Sequence, residues 1–566
     1  MPAKRPRLRE FRFEIFFILL SLLPSLYLAL GNPNTILDWY SSDDGFYYFQ
    51  VARNLASGLG FTFDGLNPTN GFHPLWLLLI TPLFLFAQVD RLLPLRLLLV
   101  LSALLSAGTA ILLFRLLRRY TSMWVAGFVG LLWIVLPRLH NLTLHTGVEA
   151  GLSAFCILLF WLFLVEFSPG VDNRQTLRRL AVLSLLGSLA IFARLDSAFL
   201  VGFGGLWLLL RLWQPVKKQA SRSPWPWRVS VAAALFGPLA LLLLLYLGWS
   251  WLAFGIAMPI SGQVKLWWGT LRNTVYGFPV RDWVDFAGQF FTDDPELGPW
   301  SLVTAPLYTV AEWLLTIFGL AVSISARRVM LLGLGAVLSA LAGALLWVER
   351  KALGAAAGGL GLLPFFLACL VQISYYKVAG SLAQQPWYWI PEMIFLLLAL
   401  GLLLNVLLRV IARQLPQRAL SAAPLLGNLV FTGLSLAFLV FIQSALRAPG
   451  DGSNQFYIHR ARWLEANTET SARVAITGAG NLAYFTEART IINMDGLMNT
   501  AAYLEAMQAG QGAEYLASLG VDYVFGNEYI LTETNPYEPM LAGHLEPYAT
   551  YLFGEDRQLL LWRFVP

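Results

Sequence analysis

Phe13-Glu-Ile-Phe-Phe-Ile-Leu-Leu-Ser-Leu-Leu-Pro-Ser-Leu-Tyr-Leu-Ala-Leu30 is an apolar run of about 18 residues, long enough to cross the roughly 30 Å hydrocarbon core of a bilayer as one helix. Lys4, Arg5, Arg7, Arg9 and Arg12 stand before it, and basic residues stay on the cytoplasmic side of a first span. The run therefore reads as an uncleaved membrane helix rather than a signal peptide. Its N-terminus is inside, and the loop 31–74 emerges outside.

Working outward, further spans are predicted near residues 95–117, 122–138, 150–166, 177–193, 197–213, 229–254, 303–325, 329–348, 352–373, 388–408 and 424–446. The clusters Arg115/Arg118/Arg119, Arg174/Arg178/Arg179, Lys217/Lys218/Arg222/Arg228 and Arg327/Arg328 all fall inside if residues 75–88 do not cross. That run is short and ends in Gln88-Val-Asp-Arg91, so it is predicted to be re-entrant or interfacial. Counted literally the spans would return the tail to the cytoplasm, whereas Arg409, Arg413 and Arg418 ask for the opposite. The conflict points between residues 301 and 374, above all to the small-residue run Ala352–Gly361, because small residues lower hydropathy and pack helices closely. The expected fold is an α-helical polytopic membrane protein of about 11–13 spans.

Composition agrees. Of 566 residues, 57% are hydrophobic and 13% charged, with 21 Trp and 38 Phe, against about 25% charged in soluble domains. The net charge of +6 divides unevenly: residues 1–450 carry 33 Lys+Arg and 19 Asp+Glu, net +14, and residues 451–566 carry 6 and 14, net −8. The positive share is an orientation signal in cytoplasmic loops, which removes the hint of a nucleic-acid partner. Cys156 and Cys369 lie in apolar runs, so no disulfide framework or thiolate metal site is expected. From 451 onward the chain reads as a small extracytoplasmic α/β domain, with strands expected at 473–477, 490–494, 521–525 and 558–564 around the helical pattern 501–519. The preceding 1–450 form the membrane domain, with a second large outer loop at 256–302.

The first outer loop contains Ser41-Ser-Asp-Asp-Gly-Phe-Tyr-Tyr-Phe-Gln-Val-Ala-Arg-Asn-Leu-Ala-Ser-Gly58. Phe46, Phe49, Ala52 and Ala56 recur at helical spacing, Ser42 is placed to cap the start, and Gly58 or Gly60 supplies the stop. An amphipathic helix on the outer membrane surface is predicted. Asp43 and Asp44 open it, pointing about 100° apart. They can complement the helix dipole in a wet loop, or one can address a substrate atom while the other orients or pairs.

An Asp-Asp opening such a helix after the first span, followed by Gly60-Phe-Thr-Phe-Asp-Gly-Leu-Asn-Pro-Thr-Asn-Gly-Phe-His-Pro-Leu-Trp76, resembles the GT-C superfamily of membrane glycosyltransferases, which use polyprenyl-phosphate-linked sugars. The Asp-Asp-Gly-Phe-Tyr-Tyr form is most similar to arabinosyltransferase-like and mannosyltransferase-like members. Pro259-Ile-Ser-Gly-Gln-Val-Lys265, Arg194-Leu-Asp196 and Gln385-Pro-Trp-Tyr-Trp389 are also similar to segments of that group, as is Ile491-Ile-Asn-Met-Asp-Gly-Leu-Met-Asn499 to outer C-terminal domains attached to some members. Each has a plainer reading: interfacial snorkelling for Lys265, an ion pair of Arg194 with Asp196, and an aromatic belt for the Trp-Tyr-Trp run.

The resemblance implies an inverting transfer to an extracytoplasmic glycan, lipid or protein acceptor, in which a carboxylate base deprotonates the acceptor hydroxyl and positive charge meets the departing phosphate. It places Asp43 as the base with Asp44 as orienting residue or substitute; Lys265, Arg194 and His73, polar groups expected near the outer interface, are assigned to the donor phosphate, Trp387 and Tyr388 to the sugar or acceptor, and Glu149 and His145 of the outer loop 140–149 either to the sugar or to a helix cap. No cofactor is implied, though a divalent cation near Asp44 is compatible, and His73, His140 and His145 lack a tight metal spacing. Gly478-Ala-Gly-Asn-Leu-Ala483 mimics a dinucleotide fingerprint, but it is loose at its third glycine and belongs to a domain predicted outside the cell. Competing readings are a transporter or flippase for a lipid-linked saccharide, for which Glu312 and Glu392 would be the intramembrane charges, and an oligosaccharide ligase of similar fold.

Overall fold

The computed structural model describes residues 8–40, 42–213, 224–291, 298–447, 456–553 and 557–566. Ser41, the basic residues Lys4, Arg5, Arg7, Lys217, Lys218 and Arg222, the acidic Asp293, Asp294 and Glu296, and the 450/451 boundary lie outside them.

Long apolar helices dominate. Among the described residues eight are long and apolar enough to cross a membrane, or ten if each of two bent pairs is one span; the chain is a multi-pass membrane protein. The first, Leu8–Ala29, packs on Leu93–Leu117. Phe13 stacks on Phe114 at 5.4 Å, and Glu14, the one acid in the opening run, meets Arg115 at 2.8 Å. A charge in an apolar layer is tolerable when paired in this way.

Two of the expected crossings are broken. Met123–Val135 bends by 57° into Pro137–His145, where Pro137 cannot continue the hydrogen-bond ladder. The Ala352–Gly361 run is part of Arg350–Leu360, which meets Leu362–Val378 at 63°. The hinge is Gly361 in the left-handed region at φ 65°, where a residue without Cβ is unstrained. Ala150–Val165 and Ser301–Ile317 are shorter apolar helices where two further crossings are predicted, and the 75–88 run is a helix Pro74–Ile80 continued by a 3₁₀ segment Thr81–Gln88.

The C-terminal part carries one five-stranded sheet: β1 (Arg473–Ile476), β2 (Thr490–Asn493), β3 (Tyr523–Gly526), β4 (Leu545–Phe553) and β5 (Arg557–Phe564), in the order β2-β1-β3-β5-β4. β1 pairs parallel with β2 and β3, and β5 pairs antiparallel with β3 and β4. Of the three central strands, β1 and β3 are short and almost wholly apolar, as strands covered on both faces must be. β4 was not expected: its Leu-Glu-Pro-Tyr-Ala-Thr-Tyr-Leu-Phe sequence alternates poorly and holds Pro547, which is tolerated on an edge. The helical pattern 501–519 divides into Ala501–Gln508 and Gly512–Ser518.

Candidate functional site

The helix predicted from the first outer loop is Asp43–Ala56. Ser42 occupies the N-cap position without making a side-chain cap, and Gly58 follows the C-terminus at φ 82°. It does not lie open on a membrane surface. Phe46 packs on Tyr484 and Phe485 of the C-terminal domain, Phe49 on Tyr40 and Phe84 of the membrane part, and residues 45 to 52 are buried. The periodic apolar face is real, but the opposite face carries Tyr47 and Tyr48, and a second domain covers it.

Asp43 and Asp44 diverge as helical geometry requires. The Asp43 carboxylate turns to the C-terminal domain, accepting hydrogen bonds from the backbone N–H groups of Gly480 (3.1 Å) and Asn481 (2.8 Å). The loop that mimicked a dinucleotide fingerprint therefore binds a carboxylate of the same chain. Asp44 instead lines a cavity of about 390 Å³ with Tyr47, Tyr48, His73, Glu149, Arg194, Asp196, Lys265, Trp387 and Tyr388. Burial, outweighing the attraction of Lys265 and reinforced by Asp43 and Glu149, pushes the Asp44 carboxyl up to about 6.

Lys265 comes from the helix Ile260–Trp268. Its Nζ donates to Tyr388 Oη (2.7 Å) and the Ala383 carbonyl (3.1 Å), and among the described residues no carboxylate lies within salt-bridge range. Burial opposes its charge, but the Tyr388 hydroxyl and Asp44 more than offset this and raise its pKa. Arg194 is different. It pairs with both Glu149 and Asp196 (2.9 Å), donates to Tyr376 Oη (3.3 Å), and lies 4.2 Å from the Tyr388 ring centroid. The ion pair and the cavity position, offered as alternatives for Arg194, coexist.

Glu149 also accepts from Tyr48 Oη (2.9 Å) and lies 3.6 Å from His73 Nε2. Burial acts to raise its pKa, yet His73 and Arg194 prevail and hold it below the usual carboxylate range. Burial lowers the pKa of His73, whose Nδ1 accepts from the Leu195 backbone N–H at 3.4 Å. With Nδ1 turned to the Leu195 N–H, it is Nε2 that faces Glu149.

Of the residues named from sequence, Asp44, His73, Glu149, Arg194, Lys265, Trp387 and Tyr388 share this cavity. His145 does not: the π-helical turn Asn141–His145 lays its ring on Trp39, centroids 3.7 Å apart. Of the two intramembrane carboxylates, Glu312 pairs with Arg327 at 3.7 Å, and Glu392 is fully buried. Sequence reasoning passed over Tyr48, Tyr376 and Asp495. Asp495 lay within the singled-out 491–499 stretch, whereas Tyr376, which donates to Asp196 at 2.6 Å, carried no local signal. Among the described residues no group of three or more His, Cys, Asp or Glu side chains is arranged to hold a metal ion.

The segment Gly71–Leu75 divides this polar cavity from an apolar groove of about 320 Å³. Gly71 and His73 face the first, while Phe72, Pro74 and Leu75 face the second with Leu78, Phe192, Tyr246 and Trp249.

Residues 447–559 match a family described as a domain of unknown function (DUF8728). No curated protein matches the chain. Among solved structures it is similar to the archaeal oligosaccharyltransferase AglB from Archaeoglobus fulgidus, in complex with an inhibitory peptide and a dolichol-phosphate, at 13% identity over 98% of this chain and 74% of that one, TM-score 0.47. It is also similar to ArnT from Cupriavidus metallidurans in the apo state, at 12% identity over 98% of each chain, TM-score 0.48.

Proposed function

We propose that this chain is an inverting membrane glycosyltransferase that moves a sugar from a polyprenyl-phosphate donor to a hydroxyl or amide acceptor outside the cytoplasm, with the N-terminus inside. The observation that carries the reading is the facing of Asp44 and Lys265 in one cavity beside an apolar groove. It is supported by the resemblance of the first outer loop to the GT-C glycosyltransferases.

Asp44 is the general base. Its raised pKa leaves it ionised near neutral pH yet basic enough to accept a proton from the acceptor as the new glycosidic bond forms. Asp43, the first choice by motif, is engaged elsewhere by two backbone N–H groups. The C–O bond to the leaving phosphate breaks as the acceptor attacks the opposite face of the sugar, and Lys265, held by the Tyr388 hydroxyl, meets the charge on the departing oxygen as a compact cation. Arg194, already neutralised by Glu149 and Asp196, positions the Tyr388 ring and the Glu149–His73 pair rather than gripping the phosphate. Trp387 and Tyr388 present aromatic faces to the sugar, and the groove receives the first isoprene units.

Purified full-length protein in detergent, supplied with a polyprenyl-phosphate-linked sugar and an acceptor mixture, should release polyprenyl phosphate and form glycosylated product. Asp44→Asn and Lys265→Met, each shown to fold, should abolish or cripple the release. Full activity in both would sink the assignment. Release without a sealed compartment also separates transfer from transport.

A further inference from the structure

The chemistry assigned above belongs to the membrane part, but the cavity has a second owner. Leu497 and Met498 of the C-terminal domain line it together with Asp44 and Lys265. The same domain grips the helix that carries Asp44 at three heights. Asp43 is held by Gly480 and Asn481. One turn on, Tyr47 Oη donates to Asp495 (3.3 Å) and accepts from the Ala479 N–H (3.3 Å) and Asn493 Nδ2 (3.3 Å). Near the far end, Arg53 donates to the Tyr484 carbonyl at 2.8 Å. Residues 43 and 47 therefore form the docked stripe, with the Tyr47 ring also reaching the cavity, and 44 and 48 the cavity stripe, about 100° apart around the helix.

Asp495 binds these parts together. It is 5% exposed and accepts from the Gly478 N–H (2.7 Å), from Tyr276 Oη of the second outer loop (2.8 Å) and from Tyr537 Oη (2.8 Å), besides Tyr47. One carboxylate thus receives donors from both outer loops of the membrane part and from its own domain. Charge-assisted hydrogen bonds of this kind are stronger than neutral ones and restrict geometry. The contacts are close: a Cβ on Gly480 would stand 2.4 Å from the Asp43 carbonyl oxygen, and one on Gly71 would stand 2.1 Å from that of Leu497.

We propose that the C-terminal domain of unknown function is a working part of the site: through Asp495 and the 478–481 turn it sets the rotation of the Asp43–Ala56 helix that aims Asp44 into the cavity, and through Leu497 and Met498 it supplies the wall that selects the acceptor. Asp43 and Asp495 are positioning residues, and Met498 is a specificity-determining one. The selection clause rests on the transferase reading, while the clamp stands on geometry alone.

The test uses the full chain in detergent, wild type beside Gly480→Val, Asp495→Asn and Met498→Ala. Hydrogen exchange over residues 43–56 should quicken at least tenfold in Gly480→Val and Asp495→Asn, with protection of the Leu93–Leu117 helix unchanged. Equal protection in both would overturn the clamp, whatever the activity assays give. In the transfer assay, Asp495→Asn should lower kcat and move the acid limb of the rate profile from about pH 6 toward that of an exposed carboxylate, with the donor KM held within twofold. An unmoved limb overturns the positioning role. Met498→Ala should alter relative rates among acceptors of different size at least threefold with donor KM unchanged; identical acceptor ranking overturns the wall. Absence of transfer by the wild type would refute the transferase reading, and with it the selection clause, while exchange still decides the clamp.

Discussion

The two walls of the cavity differ in kind. The wall from the membrane bundle carries the charges of Asp44, Glu149, Arg194 and Lys265, with Glu149 and Arg194 ion-paired and Lys265 on the Tyr388 hydroxyl; the wall from the C-terminal domain is Leu497 and Met498, apolar and unable to move a proton. The difference separates reactive groups from groups that shape and dry the space around them. A dry, low-dielectric site strengthens each electrostatic contact on the opposite wall. It also explains how a carboxyl beside a lysine can have a raised pKa: burial outweighs the attraction.

The largest effect that would break or sharpen this contrast is expected from Asp44→Asn. Losing a general base costs about 10² to 10⁴ in rate, read as kcat for polyprenyl-phosphate release. The same change should leave stability equal or raised by about 1–3 kcal/mol at neutral pH, read from thermal unfolding in detergent. The sign follows from the raised pKa. The folded protein holds this proton up to about pH 6, whereas an exposed Asp releases it near 4, so ionisation across that window costs stability that the amide does not lose. A larger loss in Asp43→Asn than in Asp44→Asn would reverse the assignment.

The two cations should separate next. Arg194→Ala strands Glu149 and Asp196, and breaking a buried pair costs about 3–5 kcal/mol, so the melting temperature should fall sharply. Among the described residues Lys265→Met strands no paired carboxylate; its effect should appear in kcat and kcat/KM together, lowered about 10- to 100-fold for the loss of one charge-assisted bond of about 1.5–3 kcal/mol to the departing oxygen. Equal destabilisation by both would mean that both are structural.

A smaller, graded effect is expected from pH. With ionised Asp44 as the base, kcat/KM should fall about tenfold per unit below pH 6 and level off above it. A limb near pH 4 would place the base on a more exposed carboxyl. The smallest effect is His145→Phe, which keeps the stack on Trp39 and leaves the cavity alone: transfer should stay within twofold and stability within about 0.5 kcal/mol.

Much of this was legible in the chain. The apolar runs, the helix after the first span and four of the five strands could be named from local periodicity, and the charged cavity residues from polar groups in apolar surroundings within segments similar to the GT-C glycosyltransferases. The surface placement of the Asp43–Ala56 helix could not be read correctly, since its second cover is Tyr484 and Phe485, more than 400 residues away. His145 lies outside the cavity for a related reason. It shares a loop with Glu149, but a π-helical turn after Pro137 lays its ring on Trp39.

The sequence by itself determined that the chain is a polytopic membrane protein with an adjacent carboxylate pair opening the helix after the first span, because bilayer thickness and helical period act on neighbouring residues. Only the tertiary structure decided which carboxylate faces the cavity and what occupies the other. A 100° step separates Asp43 from Asp44 in any helix. The absolute rotation is set by long-range partners, Gly480, Asn481 and Asp495, whose bonds exist only once both parts of the chain have folded together.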